Sequence, residues 1–82
     1  MSVNLFPNPV KDQVNISFSS ATHDNLGFKV YNTLGELLFS DEKNVIEGKN
    51  NMSWNLSELQ AGIYYLTLEN GNEKIQTKFV KE

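Results

Sequence analysis

The sequence predicts an all-β domain, a small immunoglobulin-like β-sandwich of about seven antiparallel strands, on three observations. Apolar and polar residues alternate along most of the chain, and no window of about 11 residues or more sustains the i, i+3, i+4, i+7 stripe of a helix. Turn signals recur at intervals of roughly 8–12 residues. With 82 residues the chain forms one domain, residues 1–82. So short a chain buries only about 60% of its unfolded surface. It has no Cys to supply a disulfide or a thiolate zinc site, so the core has to hold the fold unaided.

The elements follow in order. "VNLF" opens, and "FPNPV" comes next, with Pro7 and Pro9 one residue apart. Each proline fixes φ at about −65° and removes a donor, and each biases the residue before it, Phe6 and Asn8, to extended backbone. The chain thus reaches its first long strand without a competing helix. In "QVNISFS", Val14, Ile16 and Phe18 share one face and Asn15, Ser17 and Ser19 the other. "SATHDNLG" reads as a polar loop, after which "FKVYN" turns Phe28 and Val30 inward and Lys29 and Tyr31 outward. "NTLG" is a tight turn in which Gly35 takes positive φ, joining "ELLFS" as a hairpin.

"DEKNVIEGKN" reads as a long, charged, solvated loop. "NMSWNL" gathers Met52, Trp54 and Leu56 on one face, and "GIYYLTLEN" does the same with Tyr64, Leu66 and Leu68. "NGNE" is the strongest hairpin signal, returning the chain into "KIQTKFVKE". The predicted core is Phe6, Val14, Ile16, Phe18, Phe28, Val30, Leu37, Phe39, Trp54, Leu56, Leu59, Tyr64, Leu66, Leu68, Ile75 and Phe79.

The most structured local signal is "NLSELQAGIYYLTLEN". Ser57 is placed to cap one turn over Glu58 to Gln60, with Leu56 and Leu59 dropping inward on either side. Gly62 is then free to adopt a conformation that a Cβ would forbid. Tyr64 is placed to bury its ring and bond its hydroxyl to upstream backbone, as a tyrosine corner does in immunoglobulin-like sandwiches.

Composition removes several classes of function. Seven basic residues face ten acidic ones for a net charge of −3, and every cation is Lys. With no Arg fork for phosphate, nucleic acid is not an expected partner. No apolar run approaches the roughly 20 residues of a membrane span. The start "MSVNLFPNP" lacks the positive and apolar regions of a signal peptide, so the chain as written would stay in the cytoplasm unless it belongs to a longer exported protein. A single His excludes an imidazole metal cluster, and no cofactor is expected.

Ser20, His23 and Asp24 hold the letters of a nucleophilic triad but share one short loop, whereas triads are assembled from distant segments by the fold. No enzyme is expected. Asp41, Glu42 and Glu47 are interleaved with Lys43 and Lys49, a self-neutralised surface with at most weak calcium affinity. Asn15, Asn51 and Asn55 match the glycosylation pattern, which alternation of Asn and Ser explains equally well. Tyr31 and Tyr65 lie opposite the core faces of their strands and raise the alternative of a passive, adhesive or carbohydrate-binding module.

Four blocks in register carry a resemblance. "FPNPVKDQVNISF", "VYNTLGELL", "LSELQAGIYYLTL" and the Lys-bearing "KIQTKFVKE" occur in the order and spacing of the type IX secretion (Por secretion) system C-terminal sorting domain, type A, which the chain resembles over nearly all its length. The resemblance implies a non-catalytic domain closing a larger secreted or surface protein of a Gram-negative bacterium. It implies as partners an N-terminally attached cargo, the outer-membrane translocon and a surface sortase. It implies a route through the periplasm to the cell surface or the medium. It implies further that the sortase cuts there near the front of the domain and attaches some cargo to a lipopolysaccharide anchor. Carried over by matching blocks, Pro7, Asn8 and Pro9 correspond to the opening motif, Gly35 to the middle turn, and Gly62 and Tyr64 to the Gly-x-Tyr. Lys78, Phe79, Val80, Lys81 and Glu82 correspond to the terminal segment tied to recognition. Asn55 stands where the family often has Asp, and either accepts a local hydrogen bond. The export signal and the sortase site are expected at or ahead of residue 1. A partner is expected to extend the sheet from the edge presented by the last strand, with Lys74, Lys78 and Lys81 orienting it. The same edge makes pairing with a second copy a further expectation.

Overall fold

The computed structural model describes residues 3–7, 9–21, 23–71 and 73–82, and all regular structure among them is β. The strands are β1 (Val3–Phe6), β2 (Gln13–Ser20), β3 (Asp24–Tyr31), β4 (Leu37–Val45), β5 (Gly48–Asn55), β6 (Gly62–Asn70) and β7 (Glu73–Lys81). They form two sheets, ordered β1-β2-β5 and β4-β3-β6-β7. Every strand pairing in both is antiparallel. The sandwich expected from the alternation is therefore present.

The core lies between the sheets. Val14, Ile16 and Phe18 of β2 and Trp54 of β5 come from one side, and Leu26, Phe28, Val30, Leu66, Leu68 and Phe79 come from the other, all buried. Each side chain of this size contributes roughly 1.5–3 kcal/mol on full burial. Phe28 is the centre of an aromatic cluster: Trp54 stacks on it at 3.9 Å between centroids and 13° between planes, and Phe39 meets it edge-on at 5.7 Å and 83°. Pairs in these geometries add roughly 0.5–1.5 kcal/mol beyond area alone.

Several sequence expectations are corrected. The charged stretch from Asp41 to Asn50 is no loop, because β4 continues to Val45 and β5 begins at Gly48. It reads as a loop because the inward positions of this edge strand, opposite Phe28 and Leu26, are Asp41 and Lys43 rather than apolar residues. The chain crosses between sheets through Ile46 and Glu47. Gly48 there has φ 101°, and the buried Asn50 closes the corner. Its Nδ2 donates to the Ile46 and Gly48 carbonyls at 2.9 and 3.1 Å, and its Oδ1 accepts from Ile46 N–H at 3.1 Å. The polar loop after β2 is also shorter than expected, since β3 starts at Asp24 and buries Leu26.

Two expected core residues face solvent. Leu37 is 52% exposed because the β3–β4 register shifts between Val30 and Tyr31, so that Phe39 stays opposite inward Val30 while Leu37 falls opposite outward Tyr31. Phe6 is 48% exposed because Val3 and Leu5, which face Phe18 and Ile16, take the inward parity of β1. Phe39, Leu59 and Ile75 pack at the margin of the core, while Val10 and Val45 complete it.

Candidate functional site

The four sequence blocks, remote along the chain, converge at one end of the sandwich. β2, β4 and β6 begin there and β3, β5 and β7 finish there, as the facing pairs Gln13–Asn55, Tyr31–Leu37, Tyr31–Tyr65 and Gly62–Lys81 require. Phe6, at the end of β1 opposite Asn15, brings the proline segment to the same end. Asn15 Nδ2 donates to the Phe6 carbonyl at 3.3 Å, holding that end of β1 in place.

Pro7 and Pro9 are exposed and the Phe6–Pro7 peptide is cis, whereas Asn8 lies outside the described residues. The consequence of the proline segment is the position of Val10, which the sequence reading passed over. Val10 is fully buried; its N–H donates to the Val80 carbonyl and its carbonyl accepts from Glu82 N–H, both at 2.8 Å. It thereby forms an isolated parallel bridge against Lys81 of β7. One signal for this role was available: a lone apolar residue directly behind two rigid prolines and ahead of the polar "KDQ".

Gly35 sits in the β3–β4 turn at φ 86°, where only glycine is unstrained. Asn32 holds the turn. Its Oδ1 accepts from Leu34 and Glu36 N–H at 2.9 and 3.0 Å, and its Nδ2 donates to Glu36 Oε1 at 2.8 Å. This is an Asx arrangement.

The tyrosine corner is present. Tyr64 is buried, its hydroxyl donates to the Gln60 carbonyl at 2.5 Å, and its ring stacks on Phe79 at 5.7 Å between centroids. Two details of the corner are corrected. Asn55 holds the turn, its Oδ1 accepting from Ser57 N–H at 2.8 Å, while Leu59 N–H reaches the Leu56 carbonyl at 3.0 Å. Gly62 is not in the positive-φ region, and a Cβ there would meet nothing closer than Tyr64 Cε2 at 3.9 Å. Its backbone conformation is therefore open to other residues.

The terminal segment is divided between core and surface. Phe79 and Lys81 are buried, with Lys81 Nζ turned back on the Glu82 carbonyl at 3.3 Å, while Lys78, Val80 and Glu82 are exposed. Lys81 is thus not presented to a partner as Lys74 and Lys78 are. Of the large apolar side chains left exposed, Phe6, Leu34, Leu37, Leu38, Ile63, Tyr65 and Val80 lie in this half of the molecule and Ile46 at the far end.

Tyr31 and Tyr65 are directly opposite one another on the outer face of the four-stranded sheet, in a row that continues to Lys78. With Asn32, Thr33, Lys74 and Gln76 they line an open concavity of about 330 Å³. His23 and Asp24 lie at the far end of the sandwich, both exposed, with Asp24 Oδ1 accepting from Asn25 N–H at 2.8 Å. The Asp41 carboxylate is tied to the core margin, its Oδ2 accepting from the Trp54 indole N–H at 2.8 Å. That bond, with a backbone bond at Glu42, holds the carboxyl below its ordinary value against a small opposing effect of burial, and Lys43 adds to the lowering. Among the described residues, no helix is long and apolar enough to cross a membrane, and no group of three or more His, Cys, Asp or Glu could hold a metal ion.

Comparison with known proteins sets this geometry in context. The family model described as "Secretion system C-terminal sorting domain" matches residues 4–82. Dimeric latent PorU from Porphyromonas gingivalis superposes on 96% of this chain with a TM-score of 0.71 and 19% identity. A β-glucosidase from Listeria innocua in complex with glucose superposes on 98% with a TM-score of 0.51 and 10% identity. At such identities the likeness is one of fold. This chain spans 9% of the PorU chain and 16% of the glucosidase chain, a small part of each. No curated relative matches the chain. The match over nearly every residue, with all four blocks in place, makes this chain a member of the type IX secretion system C-terminal sorting domain family.

Proposed function

We propose that residues 1–82 act as a single non-catalytic sorting domain at the end of a larger exported protein. It directs a cargo attached at its N-terminus from the periplasm through the outer-membrane type IX translocon, after which a surface sortase cuts ahead of the domain. The observation that carries this reading is the family match over residues 4–82. The geometry supports it. The motif residues share one end of the sandwich, and β1 runs towards that end, which places Val3 at the other. A cargo held on the Val3 side would leave the motif end unobstructed.

The test is a reporter carrying a Sec signal and fused ahead of residue 1, expressed in a host with the type IX machinery. Delivery to the surface or medium that requires the domain is expected, and a reporter retained in the periplasm would overturn the proposal. Mapping the mature end of the delivered reporter checks the cleavage step, and a cut inside the sandwich would remove it.

One observation favours a second reading, that of a carbohydrate-binding module: the facing pair Tyr31 and Tyr65 in a polar concavity. Calorimetric titration with oligosaccharides decides it. Saturable heat that disappears in Tyr65→Ala would favour this reading over the first.

A further inference from the structure

β7 is the last strand of its sheet. In an antiparallel pair, each residue directs its N–H and C=O to the same side, alternately towards the partner strand and away from it. The bonds from Val10 N–H to Val80 and from Glu82 N–H to Val10 show that even-numbered residues of β7 point away from β6. Lys74, Gln76 and Lys78 therefore direct their main-chain groups to the open edge. Among the described residues, Val10 alone bonds that edge, beside Val80 and Glu82. The side chains of Lys74, Gln76 and Lys78 are exposed, with Lys78 opposite Tyr65 and Val80 opposite Ile63 on the outer face of the sheet.

We infer that the edge from Lys74 to Lys78 is a docking site for an extended segment of a partner polypeptide bearing two carboxylates four residues apart. Such a segment adds to the sheet as a strand through the main chain of three residues. Residues directly opposite in a ladder share a face, so its two acids meet the two ammonium groups. Charge also selects against a second copy. The antiparallel self-pairing that uses all three residues, centred on Gln76, sets Lys74 directly opposite Lys78, and like charges in that relation are destabilising. The inference rests on the sorting proposal only for the partner's place in the secretion machinery.

The probe is a capped eight-residue peptide alternating threonine with valine, in which two threonines four residues apart are replaced by glutamates. A peptide with lysines in their place is the control. Titration into the 82-residue domain should show saturable binding of the glutamate peptide and slowed amide exchange at Lys74, Gln76 and Lys78. The double variant Lys74→Glu/Lys78→Glu should weaken that binding by about tenfold or more and bind the lysine peptide instead. Gln76→Pro removes an outward N–H without touching the β6 ladder and should abolish docking. If that variant does not fold, the charge reversal decides alone. Absence of saturable binding, equal binding of both peptides, or protection on β4 overturns the inference.

In the reporter assay, loss of delivery by the folded charge-reversed domain supports the edge as the docking site. Delivery at the wild-type level by that variant overturns this role and leaves the sorting proposal standing. Failure of the wild-type domain to deliver removes the sorting proposal, and the peptide titration still judges the edge.

Discussion

The two long flanks of this sandwich are closed by different means. Where β4 runs beside β5, side chains close the gap: the Trp54 indole donates to Asp41, and Lys43 Nζ donates to the Ser53 carbonyl at 2.9 Å while lying 4.7 Å from the Trp54 ring centre. On the β7 flank the closure among the described residues is main-chain and local, through Val10 bonded to Val80 and Glu82. Charges directed inward from an edge strand deter a further strand, because pairing would disturb groups already committed to the core margin. A flank closed only at its tip leaves the rest of its ladder available. On the docking inference, the contrast accounts for why the edge of β7 rather than that of β4 would take the added strand.

The severest way to break the sealed flank is Trp54→Ala. It removes the stack on Phe28, the bond to Asp41 and the platform under Lys43 together, and should cost about 3–5 kcal/mol in denaturant unfolding. Val10→Ala attacks the other flank and should cost about 2 kcal/mol, from two lost methyl groups and the space they leave. The two variants should also differ in kind. Val10→Ala should speed amide exchange at Glu82 while leaving exchange in β4 and β5 unchanged. Equal acceleration on both flanks would mean that they open together and that the contrast is false.

At the motif end the expected effects are smaller. Tyr64→Phe should cost about 1 kcal/mol through the lost bond to the Gln60 carbonyl. The two motif glycines should separate. Gly35→Ala, at φ 86°, should destabilise by about 1 kcal/mol or more. Gly62→Ala should be neutral or stabilising by up to about 1 kcal/mol, since its backbone is compatible with Ala and the unfolded chain loses freedom. A reversed order of midpoints would overturn both backbone assignments.

How far these features were legible follows from how local they are. Alternation sufficed for β2, β6 and the Tyr64 corner, because one buried face leaves a period-two trace and the corner's bond spans only four residues. It failed at β4, where Asp41 and Lys43 occupy inward positions for a reason set by Trp54, thirteen residues away. It failed at Leu37, because a register shift reverses parity without leaving a mark in composition. Val10 was missed because its partners, Val80 and Glu82, lie at the opposite end of the chain. The motif blocks were readable one by one. Their meeting at one end was not, since it depends on the order of strands in two sheets.

The smallest expected effect is one of pH, and it tests the sealed flank alone. The indole bond and the Glu42 backbone bond favour the ionised form of Asp41, so its pKa in the folded protein lies below the ordinary value of 3.8. A carboxyl lowered on folding adds stability that is fully present above its unfolded pKa and is lost as pH falls through the folded one. The advantage of the wild type over Asp41→Asn should therefore be constant from neutral pH down to about 4 and shrink only below it. Asp41 is exposed, so solvent and salt keep the effect small. Trp54→Phe, which keeps an aromatic ring on Phe28 but has no indole N–H, should show part of that flattening of the acid limb, with Asp41 and its Glu42 backbone bond still in place. If the acid limb of Trp54→Phe instead parallels that of the wild type, the indole is not what holds Asp41 ionised, and the β4–β5 flank is closed by packing and by Lys43 without it.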